Sequence, residues 1–359
     1  MMTTENDGHD PKRIVIAGSR GFCAGVDRAV HSVQTILDRS RNKARMSDDG
    51  VFPPVYVRRE IVHNRQVVDS LAQQGAVFVQ ELDEIPDEAI EAGVPVVFSA
   101  HGVSPDVQRE ARERGICIVD ATCPLVSKVH REVLRYVKAG YEIVYIGHRG
   151  HDEALGVIGE SPEHVHLVER QADIDALDFD RGTKLTRLTQ TTLSVDETAD
   201  ISAELHRRFP WIEEPPTEDI CYATQNRQTA IKELARQSDC VIVVGSKNSS
   251  NSVRLVEVAQ QVLDAQGALG QGTSRQVAED GPSGLRKAHL LDSVEDLEVS
   301  WLERVNTVGI SSGASVPEHL VQELVEALRP LGFQKVSVLG SLSETMHFAL
   351  PSQLRSLPD

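Results

Sequence analysis

Short apolar runs, each closed by a glycine, serine or threonine or by a polar turn, recur along the chain and limit what it can fold into. They include RIVIAG, AVFVQ, PVVFSA, ICIVDAT, YEIVYIG, KLTRLTQ, CVIVVG and NTVGISSG. The runs are rich in Val and Ile and too short for helices, as strands buried on both faces of a parallel sheet are. Between several of them apolar residues recur at helical spacing, for example Val126, Val129, Val133, Leu134 and Val137. Strand, turn and helix in repetition predict an α/β fold with mainly parallel sheets. At 359 residues the chain exceeds one small core, so two or three domains are expected. Residues 40–54 and 266–284 read as irregular insertions, the first ten residues as disordered and the tail as weakly ordered.

The net charge of −17 argues against a nucleic-acid partner or an anionic membrane surface, both of which ask for a basic face. An anionic small molecule stays open, because a local pocket can oppose the global sign. No apolar stretch approaches the ~18 residues that span a bilayer, and the polar start MMTTENDGHDPKR lacks the apolar middle of a signal peptide. The expectation is a cytoplasmic protein whose five cysteines are thiols or ligands rather than disulfides.

Those cysteines divide into two groups. Cys117 and Cys240 lie inside apolar runs and read as small buried hydrophobes. Cys23 (GFCAGVDRAV) and Cys123 (DATCPLVSKVH) each follow an apolar run and a turn and precede a helical pattern, whereas Cys221 (DICYATQNRQ) follows only a short DI. Their separations of about 100 residues suggest three similar α/β units, each offering one thiol to a common point. Three unrelated buried cysteines are the plainer alternative. A closed structural zinc site usually takes four ligands and short CxxC pairs, which are absent. An iron–sulfur cube uses thiolates and often four of them; with three, one iron is left open for substrate.

In a parallel sheet, ligands bind at the carboxyl ends of the strands. The turns there are polar: His63 and Asn64; Ser99, His101 and Gly102; His148, His151 and Glu153; Gln190, Thr191 and Thr192; Ser246 to Asn251; Ser311, Ser312 and Ser315. One such histidine is ordinarily structural, but three separate turns carry one. GSKNSSNS and SSGAS are hydroxyl-rich and glycine-hinged, either plain helix caps or an anion site at helix N-termini. Neither matches a P-loop, and no GxGxxG follows a strand. A diphosphate suits this set of hydroxyls and imidazoles better than a monoanion does. Lys247 is the lone cation of its loop and is not expected to touch ligand. Glu153, two residues past His151, is either a solvated first-turn acid or, beside a metal centre and a diphosphate, a proton donor with a raised pKa. From spacing and turns alone, a reductase, a non-redox hydro-lyase and a redox sensor all remain open.

Taken together, GFCAGVDRAV, IVHNRQVVDSL, SAHGVSP, DATCPLVSKVH, IGHRGHDEA, LTQTTLSVDET, DICYATQNRQTA, VVGSKNSSNS and GASVPE resemble, in order from about residue 12 to 351, the 4-hydroxy-3-methylbut-2-enyl diphosphate reductase family. The resemblance implies a trefoil of three pseudo-symmetric α/β domains around one [4Fe–4S] cluster per chain. Its ligands would be Cys23, Cys123 and Cys221, with one iron open. The domains would span 25–122, 123–217 and 218–340, the last completed by the strand within 12–24, with a tail over 341–359. The diphosphate would be held by His63, His101, His151, Thr191, Ser249, Ser250, Asn251 and Ser315, and Glu153 would donate protons, relayed through Thr191. The implied reaction is two-electron reductive dehydroxylation to isopentenyl and dimethylallyl diphosphate, the last step of the methylerythritol phosphate route. A ferredoxin or flavodoxin would supply the electrons to a monomer or homodimer. Departures from the family pattern lie in the longer N-terminus, the two insertions and SETMHFALP.

Overall fold

The computed structural model describes residues 12–46, 53–270, 286–340 and 344–357. The described residues fall into two compact units, Met1–Gly21 with Asn226–Ser343, and Phe22–Gln225 with Glu344–Asp359. Among the described residues twelve strands form three sheets, and every neighbouring pair is parallel. The α/β expectation is met.

The first unit holds a five-stranded sheet built from β1 (Arg13–Ala17), β9 (Cys240–Val244), β10 (Lys287–Leu291), β11 (Thr307–Ser312) and β12 (Lys335–Leu339), in the order β10-β9-β11-β1-β12. Alternate residues along a strand face opposite sides. Ile14, Ile16, Ile242, Val308 and Ile310 therefore pack on α11 (Glu318–Leu328), while Val15, Ala17, Val241 and Val243 pack with Ile231, Leu234, Leu255 and Val258. The last four lie on α9 (Tyr222–Arg236) and α10 (Ser250–Gly270).

The second unit holds two sheets. The four-stranded one has the order β3-β2-β4-β5, from β2 (Val55–Arg58), β3 (Ala76–Val79), β4 (Pro95–Phe98) and β5 (Cys117–Asp120). Its helices are α1 (Ala24–Met46), α2 (Arg65–Gln73), α3 (Asp87–Glu91) and α4 (Pro105–Glu113). The three-stranded one has the order β7-β6-β8, from β6 (Tyr141–Ile146), β7 (Val165–Val168) and β8 (Lys184–Thr189). With it go α5 (Pro124–Lys138), α6 (Asp152–Ile158), α7 (Gln171–Ile174) and α8 (Val195–Arg208). Each sheet is covered by apolar residues on both faces, which the doubly buried character of the strands requires.

Two sequence expectations are corrected. Residues 40–46 continue α1 and 266–270 continue α10, so the stretches read as irregular insertions are helical where they are described; 47–52 and 271–284 lie outside the described residues. The tail is tied down rather than weakly ordered. Leu354 and Leu357 join the core beneath the four-stranded sheet, and Arg28 and Arg39 donate to the carbonyls of Ala349 and Leu354 at 2.8 and 2.6 Å. The first ten residues also lie outside the description. Among the described residues no helix is long and apolar enough to cross a membrane.

Candidate active site

Each of the three singled-out cysteines is the residue immediately before a helix: Cys23 before α1, Cys123 before α5 and Cys221 before α9. All three belong to the second unit, and all are half-buried free thiols. Backbone pairing fixes them, with the Cys123 N–H donating to Ala100 O at 2.9 Å and the Cys221 N–H to Thr191 O at 3.0 Å. The Cys221 sulfur accepts from the Thr224 N–H at 3.4 Å and lies 3.1 Å from its hydroxyl oxygen. Gly25 explains how the first two cysteines come together. A Cβ there would sit 2.6 Å from Cys123 Sγ and 3.9 Å from Cys23 Sγ, so both sulfurs crowd one point that only glycine leaves free. Burial pushes the Cys123 thiol up to about 12; N–H groups of Leu125 and Val126 oppose the rise, while Cys23 and Cys221 add to it.

The thiol donors are of the kind that zinc or an iron–sulfur cluster takes. Four thiolates around one zinc stand about 3.8 Å apart, from Zn–S bonds of about 2.3 Å. Among the described residues the grouping whose ligand atoms all lie within 4.8 Å of one another is His63, His101 and Asp152, not the cysteines. Soft thiolate donors such as Cys23 and Cys123, whose sulfurs flank one point beside Gly25, are the type an iron–sulfur cube takes. Cys240 is buried in β9 and Cys117 half-buried in β5, both packed among apolar residues as expected.

The three histidines of the polar turns also meet within the second unit. His63 and His101 stack at 3.9 Å between ring centroids and 16°, and His151 meets them edge-on at 5.1 and 5.8 Å. His151 is the N-cap of α6, where its Nδ1 accepts the Glu153 N–H at 3.2 Å. That contact fixes Nδ1 as an unprotonated acceptor and leaves Nε2 for a ligand. Burial lowers the proton affinity of His101 well below the usual histidine range, and His63 and His151 lower it further. For His151 burial is again the main cause, with His63 adding to it and Asp152 opposing it, and its pKa falls to about 4. The free site therefore holds His101 and His151 uncharged.

Glu153, on the first turn of α6, is 1 % exposed, which removes the solvated alternative. Its Oε1 accepts the Thr191 N–H at 2.7 Å and its Oε2 the Thr191 hydroxyl at 2.9 Å. Burial raises the carboxyl to about 7 against these two hydrogen bonds, so at neutral pH a large share carries a proton. The Thr191 carbonyl in turn accepts the Cys221 N–H, so one threonine joins the acid to a thiol-bearing turn. Thr192 instead accepts from the Gln190 side chain at 2.9 Å. Other polar-turn residues serve structure: Asn64 caps α2 through the Val67 N–H, and His148 pairs with Glu169.

In the first unit, Ser249, Ser250 and Asn251 lie at the N-terminus of α10, and Ser315 follows β11, the neighbour of β9 in the sheet. Ser249 Oγ accepts the Ser252 N–H at 3.3 Å. Asn251 is 5 % exposed, yet neither atom of its side-chain amide has a hydrogen-bond partner. A buried amide left unmatched costs stability unless a ligand completes it. Lys247 is exposed.

Sequence reasoning missed two ion-paired clusters. Lys128 donates to Asp219 at 2.8 Å, and Asp219, with no exposed side-chain surface, also accepts the Thr189 N–H. Arg59 bridges Glu81 and Asp152. Partners 91 and 93 residues apart leave no local pattern; the only signal was an acid beside each singled-out residue, in EDIC and HDEA.

The family model described as LytB protein matches residues 14–269 and 271–329. The chain belongs to the LytB family. It is 59 % identical over 344 residues to the 4-hydroxy-3-methylbut-2-enyl diphosphate reductase of Bifidobacterium longum, covering 96 % of this chain and 92 % of that one. It is 49 % identical over 350 residues to the 4-hydroxy-3-methylbut-2-enyl diphosphate reductase 1 of Mycobacterium bovis, covering 98 % and 93 %. The solved structure of the E-1-hydroxy-2-methyl-but-2-enyl-4-diphosphate reductase from Plasmodium falciparum superposes with a TM-score of 0.82 at 35 % identity, over 97 % of this LytB chain and 98 % of that one. The LytB match spans the turns that carry all the cysteines, histidines and serines described above.

Proposed function

We propose that this LytB chain is a 4-hydroxy-3-methylbut-2-enyl diphosphate reductase that forms isopentenyl and dimethylallyl diphosphate. The allylic C–O bond breaks, two electrons and two protons enter, and water leaves. Cys23, Cys123 and Cys221 would hold a [4Fe–4S] cluster with one iron free of protein ligands. When bound, that cluster supplies electrons and a Lewis-acid site for the allylic hydroxyl. A ferredoxin- or flavodoxin-type protein is the electron source. The reading keeps the division into α/β domains over 25–122, 123–217 and 218–340.

The chain's own residues supply the rest. His63, His101 and His151 bind the diphosphate as hydrogen-bond donors, His151 through Nε2, and the polyanion raises the proton affinity of His101. Ser249, Ser250, Asn251 and Ser315 complete its binding with hydroxyls and an amide. Glu153 holds a proton at its carboxyl and passes it through the Thr191 hydroxyl, because its raised pKa leaves it both loaded and able to release. The observation that carries this reading is the Thr191 junction, two hydrogen bonds to Glu153 and a third to Cys221, in a chain of LytB sequence.

The test is anaerobic iron and sulfide content together with turnover of the allylic diphosphate by a reduced viologen. The expected result is a four-iron protein whose turnover stops without reductant. Water elimination at an undiminished rate without reductant would favour a hydro-lyase instead.

A further inference from the structure

Arg59 follows β2 with φ of 55°, a left-handed backbone that a long L side chain adopts only where its surroundings hold it there. Its guanidinium is shared between two carboxylates: Nη2 donates to Glu81 Oε1 at 2.9 Å, and Nη1 pairs with Asp152 Oδ1. Asp152 is the first residue of α6, between the N-cap His151 and Glu153. α6 has seven residues, too short to hold its own pose, so its end contacts set it. On one side Thr191 grips Glu153; on the other Arg59 grips Asp152. Arg58 and Arg59 line a small cleft with Ser99, Gly102, Asp152 and Leu155, next to the turn that carries His101.

Charge gives the pair a second consequence. A carboxylate oxygen of Asp152 lies within 4.8 Å of ring nitrogens of His63 and His101, the imidazoles assigned to the diphosphate. An uncompensated aspartate there would oppose a polyanion at close range. Resting on the diphosphate reductase reading, we propose that Arg59 is a positioning residue that acts through Asp152: it fixes the first turn of α6, and with it His151 and Glu153, and masks the Asp152 charge from the substrate.

The test compares Arg59→Asn, Asp152→Asn, the double variant and Arg59→Lys in the cluster-loaded, full-length protein. Asparagine tolerates the left-handed backbone, so Arg59→Asn separates the guanidinium from the chain conformation. In Arg59→Asn, KM for the allylic diphosphate rises about tenfold or more from the exposed charge, and kcat falls about tenfold from the loosened turn. Adding Asp152→Asn returns KM to within about threefold of the parent while kcat stays low, since coupled sites are not additive. Arg59→Lys keeps KM and loses kcat, and it carries the test if Arg59→Asn does not fold. Iron content is equal in all four.

Parent-like KM and kcat in Arg59→Asn, or a KM that Asp152→Asn does not restore, would overturn the role of Arg59. A parent protein that binds iron but does not reduce the allylic diphosphate would reject the underlying reading instead.

Discussion

Replacing Glu153 by glutamine separates the two demands made on this carboxyl. Its pKa is raised from 4.5 to about 7, chiefly by burial. At about 1.4 kcal/mol per unit, holding the ionised form in this site costs on the order of 3 kcal/mol above pH 7. The native state therefore binds more protons than the unfolded chain between pH 4.5 and about 7, and stability falls as pH rises through that window. Glutamine keeps the shape, its carbonyl still accepts the Thr191 N–H, and its NH2 can donate to the Thr191 hydroxyl, with no charge to bury. Near pH 5 the two proteins should unfold at similar temperatures. At pH 8.5 Glu153→Gln should be the more stable, by an upper figure of about 3 kcal/mol or roughly 5 °C. Turnover should fall about 10²- to 10⁴-fold, the usual worth of a general acid, while iron content and product affinity stay within about threefold. Scanning calorimetry at both pH values, alongside single-turnover assays, reads all of this. A stability difference between the two proteins that did not change with pH would refute the buried-carboxyl argument, and near-parent turnover would refute the proton-donor role.

Gly25→Ala places a methyl 2.6 Å from Cys123 Sγ, so the sulfur must retreat by about 1 Å, several times the ±0.2 Å a metal site tolerates. Iron content should drop sharply with far-UV circular dichroism unchanged, and full iron would show that the thiols do not converge there. Cys→Ser at 23, 123 or 221 should each remove the iron–sulfur absorbance of anaerobically purified protein, whereas Cys117→Ser and Cys240→Ser should keep it; retention in any of the first three strikes that residue from the ligand set. Because the lowered His101 is uncharged in the free site, diphosphate binding should take up protons and strengthen as pH falls from 8 to 6. Calorimetric titration of the product in buffers of different ionisation enthalpy measures that uptake directly, and zero or negative uptake would contradict it.

Much of the fold was legible because both-face burial writes itself as Val- and Ile-rich runs; every run noted at the outset contains a strand. Four strands were not anticipated. β7, β10 and β12 are sheet edges, where half the surface is not buried and residues such as His166, His289 and Ser337 are tolerated. β2 is interior but only four residues long, and it runs from Pro53-Pro54 straight into Arg58-Arg59, which reads as a turn. At the site, the thiols, histidines and Glu153 were legible because parallel topology puts strand ends and helix starts together. Asp152 and Arg59 were not, since an ion pair between residues 93 apart exists only after the two turns are folded side by side.

The same topology also brings positive potential to the thiol centre. In a parallel α/β unit the chain that leaves the carboxyl end of a strand enters the next helix at its N-terminus, where the first backbone N–H groups lack intrahelical partners. Cys23, Cys123 and Cys221 each stand directly before such a helix, and backbone N–H groups at the helix starts reach two of the sulfurs, from Leu125 and Val126 to Cys123 and from Thr224 to Cys221. Aligned peptide dipoles put about half a positive charge at each of these ends. The cation charged against Cys123 is Arg28, whose guanidinium donates to the carbonyls of Asp120, Thr122 and Ala349. The helix-end N–H groups thus offset only part of the burial that holds the Cys123 thiol at about 12, and they bring positive potential to the thiols of a chain whose net charge is −17.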